Sequence, residues 1–272
     1  GLLRVVEQVM RDQERRGQRR SPFAGQIEQR ALDRADGAVD AAAYRRRAHI
    51  PEFLRAPDAD AIHNALTKLP RWNTVTRSGD RHLDLDAAGL RQLKPEDLIR
   101  FDNAVYEGAR KGFQYLFDNY PIADAYYAGT IVSDELARFF EFLNSPETIA
   151  FARDVTGIPD IKFADAQATR YLPGHFLTEH DDAVDGKNRC AAFVLNLTRD
   201  WRADWGGLLM FIGEDGHVEE AYTPKFNALN IFTVPQRHSV SVVAPFAPAV
   251  RLSVTGWFRS GEDPLRKSRR KG

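Results

Sequence analysis

Beyond Gly157-Ile158-Pro159 the sequence abandons helical spacing for apolar–polar alternation in short runs divided by turn residues, and nothing else in it constrains the fold as much. Alternation of period two fits strands buried on one face. About eight such strands are expected, over residues 162–171, 176–181, 189–198, 207–213, 217–222, 228–233, 238–244 and 250–259. Short strands in this number hide their edges by closing on themselves, so the expected core is a jelly-roll-like barrel.

The residues before it supply helices. Helical spacing is expected over Asp58–Leu69 and over Pro95–Tyr120, where Leu98, Phe101, Val105, Phe113, Leu116 and Phe117 recur near the helical period. It is expected again over Ser133–Leu143 and Ser145–Val155, each opened by a capping serine and an acidic first turn. A short strand is expected near Arg47–Leu54. This order gives an α+β chain whose N-terminal helices buttress one sheet of the β core. Residues 1–44 read as a helical, charged extension, 45–260 as the main domain with its β core at about 160–260, and 261–272 as a basic tail.

A metal centre that binds an organic co-substrate and oxygen side by side needs two imidazoles and a carboxylate on one face of a cavity, with neighbouring positions open. His180-Asp181-Asp182 ends one expected strand, and period two sends His180 and Asp182 to one side and Asp181 to the other. His238 opens a later strand after Val234-Pro235-Gln236-Arg237. These three are the candidate metal ligands. The His-x-Asp spacing is weak by itself, because His82-Leu83-Asp84 repeats it. That copy lies in the polar stretch Arg77–Asp86, where His82 reads as a surface residue and Asp84 or Asp86 as a helix cap.

The last expected strand adds a cation. Alternation along Arg251-Leu252-Ser253-Val254-Thr255-Gly256-Trp257 puts Arg251, Ser253, Thr255 and Trp257 on one face, looking into the barrel beside His238. A buried guanidinium must be paired. Its partner is either a protein carboxylate in a structural salt bridge or a bound dicarboxylate held bidentately. Convergence with His180, Asp182 and His238 favours the second.

The run Tyr171-Leu172-Pro173-Gly174, Leu177, His180-Asp181-Asp182, Arg189-Cys190, Asp200-Trp201, Trp205-Gly206-Gly207-x-Leu209, Pro224, His238 and Arg251-x-x-x-Thr255-Gly256-Trp257 resembles the prolyl 4-hydroxylase-like branch of the Fe(II)/2-oxoglutarate-dependent oxygenases. The likeness covers roughly residues 160–260 and more loosely reaches back to about residue 45. Trp205-Gly206-Gly207 and the acidic loop after Asp182 look most like oxygenases that hydroxylate a proline in a ribosomal protein. Arg189-Cys190 and the Arg251–Trp257 segment also look like the oxygen-sensing prolyl hydroxylases.

This resemblance implies a double-stranded β-helix (jelly-roll, cupin-like), with Fe(II) held by His180, Asp182 and His238 and 2-oxoglutarate chelating the iron while its distal carboxylate pairs with Arg251. It further implies O2 as a co-substrate and ascorbate as a candidate reductant. Tyr171 and Thr255 match positions lining the co-substrate pocket, and Trp257 matches an aromatic wall near the substrate. Tyr171 and Trp257 read equally as core aromatics with a satisfied polar handle. Asn196 occupies the position where many relatives carry a tyrosine that helps hold the distal carboxylate, and it could donate one hydrogen bond there. The loop Ala244-Pro245-Phe246-Ala247-Pro248 is an apparent insertion expected to shape the cavity rim. The implied reaction is hydroxylation of a C–H bond of a prolyl residue in a protein, coupled to decarboxylation of 2-oxoglutarate to succinate. A free amino acid or other small metabolite is the alternative substrate.

Composition narrows the partners. Lys plus Arg equals Asp plus Glu at 38 each, so no whole-molecule charge draws the chain to nucleic acid or an anionic membrane. The single cysteine, Cys190, rules out an intramolecular disulfide framework and a Cys-based zinc cluster and fits a reducing compartment. Apolar runs are too short to span a bilayer, and charges break Leu2-Leu3-Arg4-Val5-Val6-Glu7 before a signal-peptide core could form, so a cytoplasmic location is expected. The helices of residues 95–155 offer a surface for a homodimer. Two other classes stay open on the residues. One is a non-catalytic β-barrel binding module whose His, Asp and Arg form a polar network. The other is a zinc hydrolase, for which the inward Arg251–Thr255–Trp257 face has no use.

Overall fold

A computed structural model of the chain describes residues 46–265. The expected extension over 1–44 and most of the basic tail lie outside the described residues. The chain enters through β1 (Arg47–Ile50) and α1 (Ala56–Thr67), then folds back as the hairpin β2 (Asn73–Ser78) and β3 (Arg81–Asp86). Next come α2 (Ala87–Leu90), α3 (Pro95–Lys111) and β4 (Tyr115–Tyr120), followed by α4 (Ile122–Ala128), α5 (Asp134–Leu143) and α6 (Pro146–Thr156). The C-terminal part contributes β5 (Phe163–Ala164), β6 (Gln167–Tyr171), β7 (Phe176–His180), β8 (Arg189–Asn196) and β9 (Leu209–Ile212). It ends with β10 (Val218–Tyr222), β11 (Ala228–Thr233), β12 (His238–Val240) and β13 (Arg251–Arg259). Among the described residues no helix is long and apolar enough to cross a membrane.

The strands follow one curled, antiparallel path, β1-β11-β8-β13-β6-β4-β7-β12-β9-β10, with β2 and β3 extending it beside β4 and β5 beside β13. This is the expected α+β architecture, a double-stranded β-helix buttressed by helices. Along β8, Phe193 and Leu195 point outward into the main core beneath α1, α5 and α6, while Ala192 and Val194 point into the barrel. Each large outward side chain that leaves water there contributes about 1.5–3 kcal/mol. Ser133 and Ser145 cap α5 and α6 as expected, accepting from Leu136 N–H at 3.3 Å and Thr148 N–H at 3.2 Å. Asp86 caps α2 through Gly89 N–H at 2.8 Å.

Two expectations need correction, and one stretch for which only an exposed His82 and a capping aspartate were expected also gains an element. The helix expected over Pro95–Tyr120 stops at Lys111, and β4 follows. Gly112 breaks the helix, and Phe113, Tyr115 and Phe117 then alternate with period two, a strand signal hidden by its overlap with helical spacing at Leu116 and Phe117. The polar stretch Arg77–Asp86 is largely a β-hairpin, with Leu83 and Leu85 alternating against His82, Asp84 and Asp86. The strand expected over 162–171 divides at Asp165, whose carboxylate accepts Trp257 N–H at 2.8 Å and whose own N–H donates to Trp257 C=O at 3.1 Å.

The two ends of the strand path, β1 and β10, share no ladder; side chains hold them. Buried Arg47 donates from Nη2 to Glu219 at 3.0 Å and from Nε to Glu220 at 2.7 Å, with its guanidinium 4.6 Å from the centre of the Phe211 ring. Arg47→Ala should lower stability by about 2 kcal/mol, and Arg47→Met should recover part of that by repacking on Phe211. Chemical denaturation of the three proteins checks this; an unchanged midpoint for Arg47→Ala would count against a clasped seam.

Candidate functional site

β7 and β12 pair antiparallel with His180 directly opposite His238, so the two imidazoles meet across one ladder. Their ring centroids are 4.1 Å apart. Each ring is oriented by the main chain two residues before it: Nδ1 of His180 lies 3.0 Å from Thr178 C=O, and Nδ1 of His238 lies 2.7 Å from Gln236 C=O. A carbonyl only accepts, so each Nδ1 carries a proton and Nε2 is the ring atom left to offer a lone pair. Both Nε2 atoms face Asp182, one carboxylate oxygen lying 3.5 Å from His180 Nε2 and the other 3.5 Å from His238 Nε2. Asp182 reaches this position with a left-handed backbone, φ 65°, just past the end of β7. Arg189 donates to its main-chain carbonyl at 3.1 Å.

One ligand atom from each of the three residues lies within 4.8 Å of the others. Burial opposes charge on Asp182, but His180, His238 and Arg189 outweigh it and hold the carboxyl at about 2. Burial and the neighbouring His180 push His238 down to about 4, so it is neutral near pH 7. Two imidazole Nε2 atoms and a carboxylate thus converge on one point. This is the donor set a divalent cation satisfies, and it fits a centre with two His and one carboxylate.

The three residues line one cavity of about 500 Å³ together with Arg251, Tyr171, Thr255 and Trp257. Arg251 is 2% exposed and stands opposite Tyr171 in the β13–β6 register, its guanidinium 4.9 Å from the tyrosine ring centre. Burial pushes the Tyr171 hydroxyl up to about 12, partly offset by Arg251 beside it. Among the described residues no carboxylate pairs with Arg251, and its Nε has no hydrogen-bond partner. The protein-carboxylate reading of Arg251 therefore has no partner here. A buried cation left so costs several kcal/mol unless an anion from outside joins it. The residues fit a dicarboxylate at this end of the cavity as they fit a metal at the other.

Trp257 shows a related gap. Its buried indole N–H has no partner among the described residues, and the Arg189 guanidinium lies 3.5 Å from the ring centre.

Asn196 is not brought to the cavity. It follows Ala192 and Val194 on the inner face of β8 but is not a lining residue, and its amide donates to Ala228 C=O at 3.3 Å. Alternation fixed its face; its depth along the barrel took it past the cavity floor. The loop 244–248 does not form the rim either. Residues 241–247 dock behind Arg251, where Val243 N–H donates to His175 C=O at 3.0 Å and Ala244 N–H to Trp205 C=O at 2.9 Å. Gly206 and Gly207 permit that approach: a Cβ on Gly206 would lie 1.9 Å from Val242 C=O, and one on Gly207 3.0 Å from the Arg251 side chain. The segment is a plug that seals the arginine end.

Sequence reading missed one wall of the cavity. Phe113, Tyr115 and Phe117 line it from the β4 side, with successive ring centroids at 5.6 and 5.8 Å, and Phe117 stacks on Tyr171 at 5.1 Å. Their alternation after Gly112 was the available signal. The mouth is open: Phe113 is 42% exposed and Val184 47%.

Comparison with known proteins agrees with this geometry. Residues 166–259 match the model of the 2OG-Fe(II) oxygenase superfamily. A stretch of 116 residues is 32% identical to mouse prolyl 3-hydroxylase OGFOD1, covering 40% of this chain and 21% of that protein, so the chain spans only a part of this relative's length. A Pseudomonas putida prolyl-4-hydroxylase superposes with a TM-score of 0.53 at 18% identity, covering 84% of this chain and all of that one. A Trichoplax adhaerens prolyl hydroxylase, solved with a hypoxia inducible factor peptide fragment, gives 0.57 at 14% identity, covering 90% and 94%. At such identities the superpositions establish the fold.

Proposed function

We propose, from the match of residues 166–259 to the 2OG-Fe(II) oxygenase superfamily, that this chain is an Fe(II)- and 2-oxoglutarate-dependent dioxygenase that hydroxylates a prolyl residue of a protein. His180, Asp182 and His238 would hold the metal, and Arg251 with Tyr171 would hold the distal carboxylate of 2-oxoglutarate. When bound, the metal supplies oxygen activation coupled to decarboxylation of 2-oxoglutarate to succinate.

The chain's own residues do the rest. Thr178 and Gln236 carbonyls fix the imidazole tautomers, and Arg189 holds the Asp182 main chain. Phe211 and Phe232 pack against His238, with ring centroids at 6.3 and 4.6 Å, and keep bulk water from that side. The plug over 241–247 dries the arginine end, where a low dielectric strengthens the guanidinium's grip on an anion. Trp257 and Thr255 bound the reacting region opposite the β4 wall.

The observation that carries the reading is the buried Arg251, hydrogen-bonded to Tyr171 but with no carboxylate partner among the described residues, in the same cavity as the His–Asp–His cluster. The open, aromatic mouth supports a macromolecular substrate presenting one residue. An array of proline-centred peptides, incubated with the full chain, Fe(II), ascorbate and 2-oxoglutarate, tests it by mass spectrometry. The expected result is succinate in step with one oxygen atom gained on a prolyl residue. Succinate without any oxidised peptide would remove the prolyl substrate and leave the oxygenase class.

A further inference from the structure

The β4 wall runs from the open mouth at Phe113 down to Tyr171 beside Arg251, and Phe113 lies 5.3 Å from the His180 ring, centroid to centroid. A residue entering the cavity must slide along these rings. Between Phe113 and Phe117 the wall carries one polar group, the hydroxyl of Tyr115.

That hydroxyl is already oriented. His82 Nδ1 lies 2.6 Å from it, and the two rings are 5.9 Å apart. The arrangement follows from strand register. His82 on β3 stands opposite Arg77 on β2, and the β2–β4 pairing of Thr76 with Leu116 brings Arg77 beside Tyr115. The three side chains form one row across three strands. Arg77 in turn lies over Phe113, 5.0 Å from its centre, and is tied down by Gly79 C=O and Asp80. The row is ordered although it sits at the surface.

Fold stability explains little of this. β3 is an edge strand, His82 is exposed, and a surface hydrogen bond has a small net effect. The phenol also keeps unused capacity. If Tyr115 donates to His82, its lone pairs can accept a peptide N–H; if His82 donates, the hydroxyl can donate to a peptide C=O. Every non-proline residue of an extended polypeptide offers both groups, whatever its side chain. Burial raises the Tyr115 pKa, which keeps it protonated and able to play either part.

We propose that Tyr115 is a substrate-positioning residue, its hydroxyl oriented by His82 and hydrogen-bonded to the main chain of the polypeptide flanking the target residue. This deepens the oxygenase reading above and rests on it. The His82-x-Asp84 copy of the ligand spacing thereby has a use, with His82 at the entrance.

The test takes the best-oxidised peptide of the array and the full chain. Tyr115→Phe and His82→Leu should each raise the KM for that peptide about five- to tenfold, while kcat and the KM for 2-oxoglutarate move by less than about twofold. His82→Asn, whose amide can replace Nδ1, should restore most of the loss. The double variant should be no worse than either single one, since both break one coupled contact. His82→Leu lies on an exposed edge and keeps the test valid should Tyr115→Phe misfold. A peptide KM indifferent to both variants, or one that rises in step with that for 2-oxoglutarate, overturns the proposal and leaves the oxygenase reading standing. Failure of the wild type to oxidise any peptide overturns the proposal together with the prolyl substrate, and the oxygenase class falls with them only if no succinate forms either.

Discussion

Asp182→Ala is expected to abolish 2-oxoglutarate turnover and, with it, the stabilisation that a redox-inert divalent ion such as Mn(II) gives the folded chain. The carboxylate sits between the two Nε2 atoms, 3.5 Å from each, so its loss leaves two imidazoles with no negative charge to attract a cation. An ion at about a hundredfold excess over its Kd should stabilise the wild type by about 2.7 kcal/mol, which raises Tm by about 5–10 °C for a domain of this size. The variant should show no ion-dependent rise. A Mn(II) titration followed by thermal unfolding measures both proteins. An Asp182→Ala chain that still gains the wild-type increment would move the metal elsewhere and sink the ligand assignment.

Arg251 gives the second large effect, and stability and function should move in opposite directions. Among the described residues the buried guanidinium has the Tyr171 hydroxyl beside it but no carboxylate, so its charge is left without a counter-charge there until an anion arrives. Arg251→Met keeps much of the volume and removes the charge. Without ligand it should be as stable as the wild type or more stable by about 1–3 kcal/mol. Its affinity for 2-oxoglutarate should fall by about 100-fold or more, because a charge-assisted bidentate contact is lost. Arg251→Lys should lie between, with the charge kept and the fork gone. Denaturant midpoints and the KM for 2-oxoglutarate check the pair. A strongly destabilised Arg251→Met chain would mean that the arginine serves the fold.

How much of this was legible depended on whether a residue's role is local. The inner strands β8, β11 and β13 came within about two residues because burial of one face writes period two into the sequence. His180, Asp182 and Arg251 were assigned a face by the same alternation, and the structure puts them in one cavity. β4 was not legible. Its rings continue an amphipathic helix across a single glycine, and helical and strand periods coincide over so short a run. Asn196 shows the limit from the other side. Alternation says which way a side chain points and nothing about how deep along the barrel it lies. The plug over 241–247 depends on contacts of Gly206 and Gly207 with a segment about 35 residues away, which no local pattern encodes.

The two histidines are steadied in the same way, each by the main-chain carbonyl two residues earlier in sequence. Where side chains give such support, a point mutation can remove it. Here the supporting atoms belong to every amino acid, so positions 178 and 236 can drift in identity without loosening the imidazoles. Damage to this layer requires a shift of the main chain itself, such as a residue inserted or deleted within β7 or β12. The geometry of the two Nε2 atoms is insulated from substitution next door, which leaves neighbours such as Glu179 and Arg237, paired with each other at the surface, open to change.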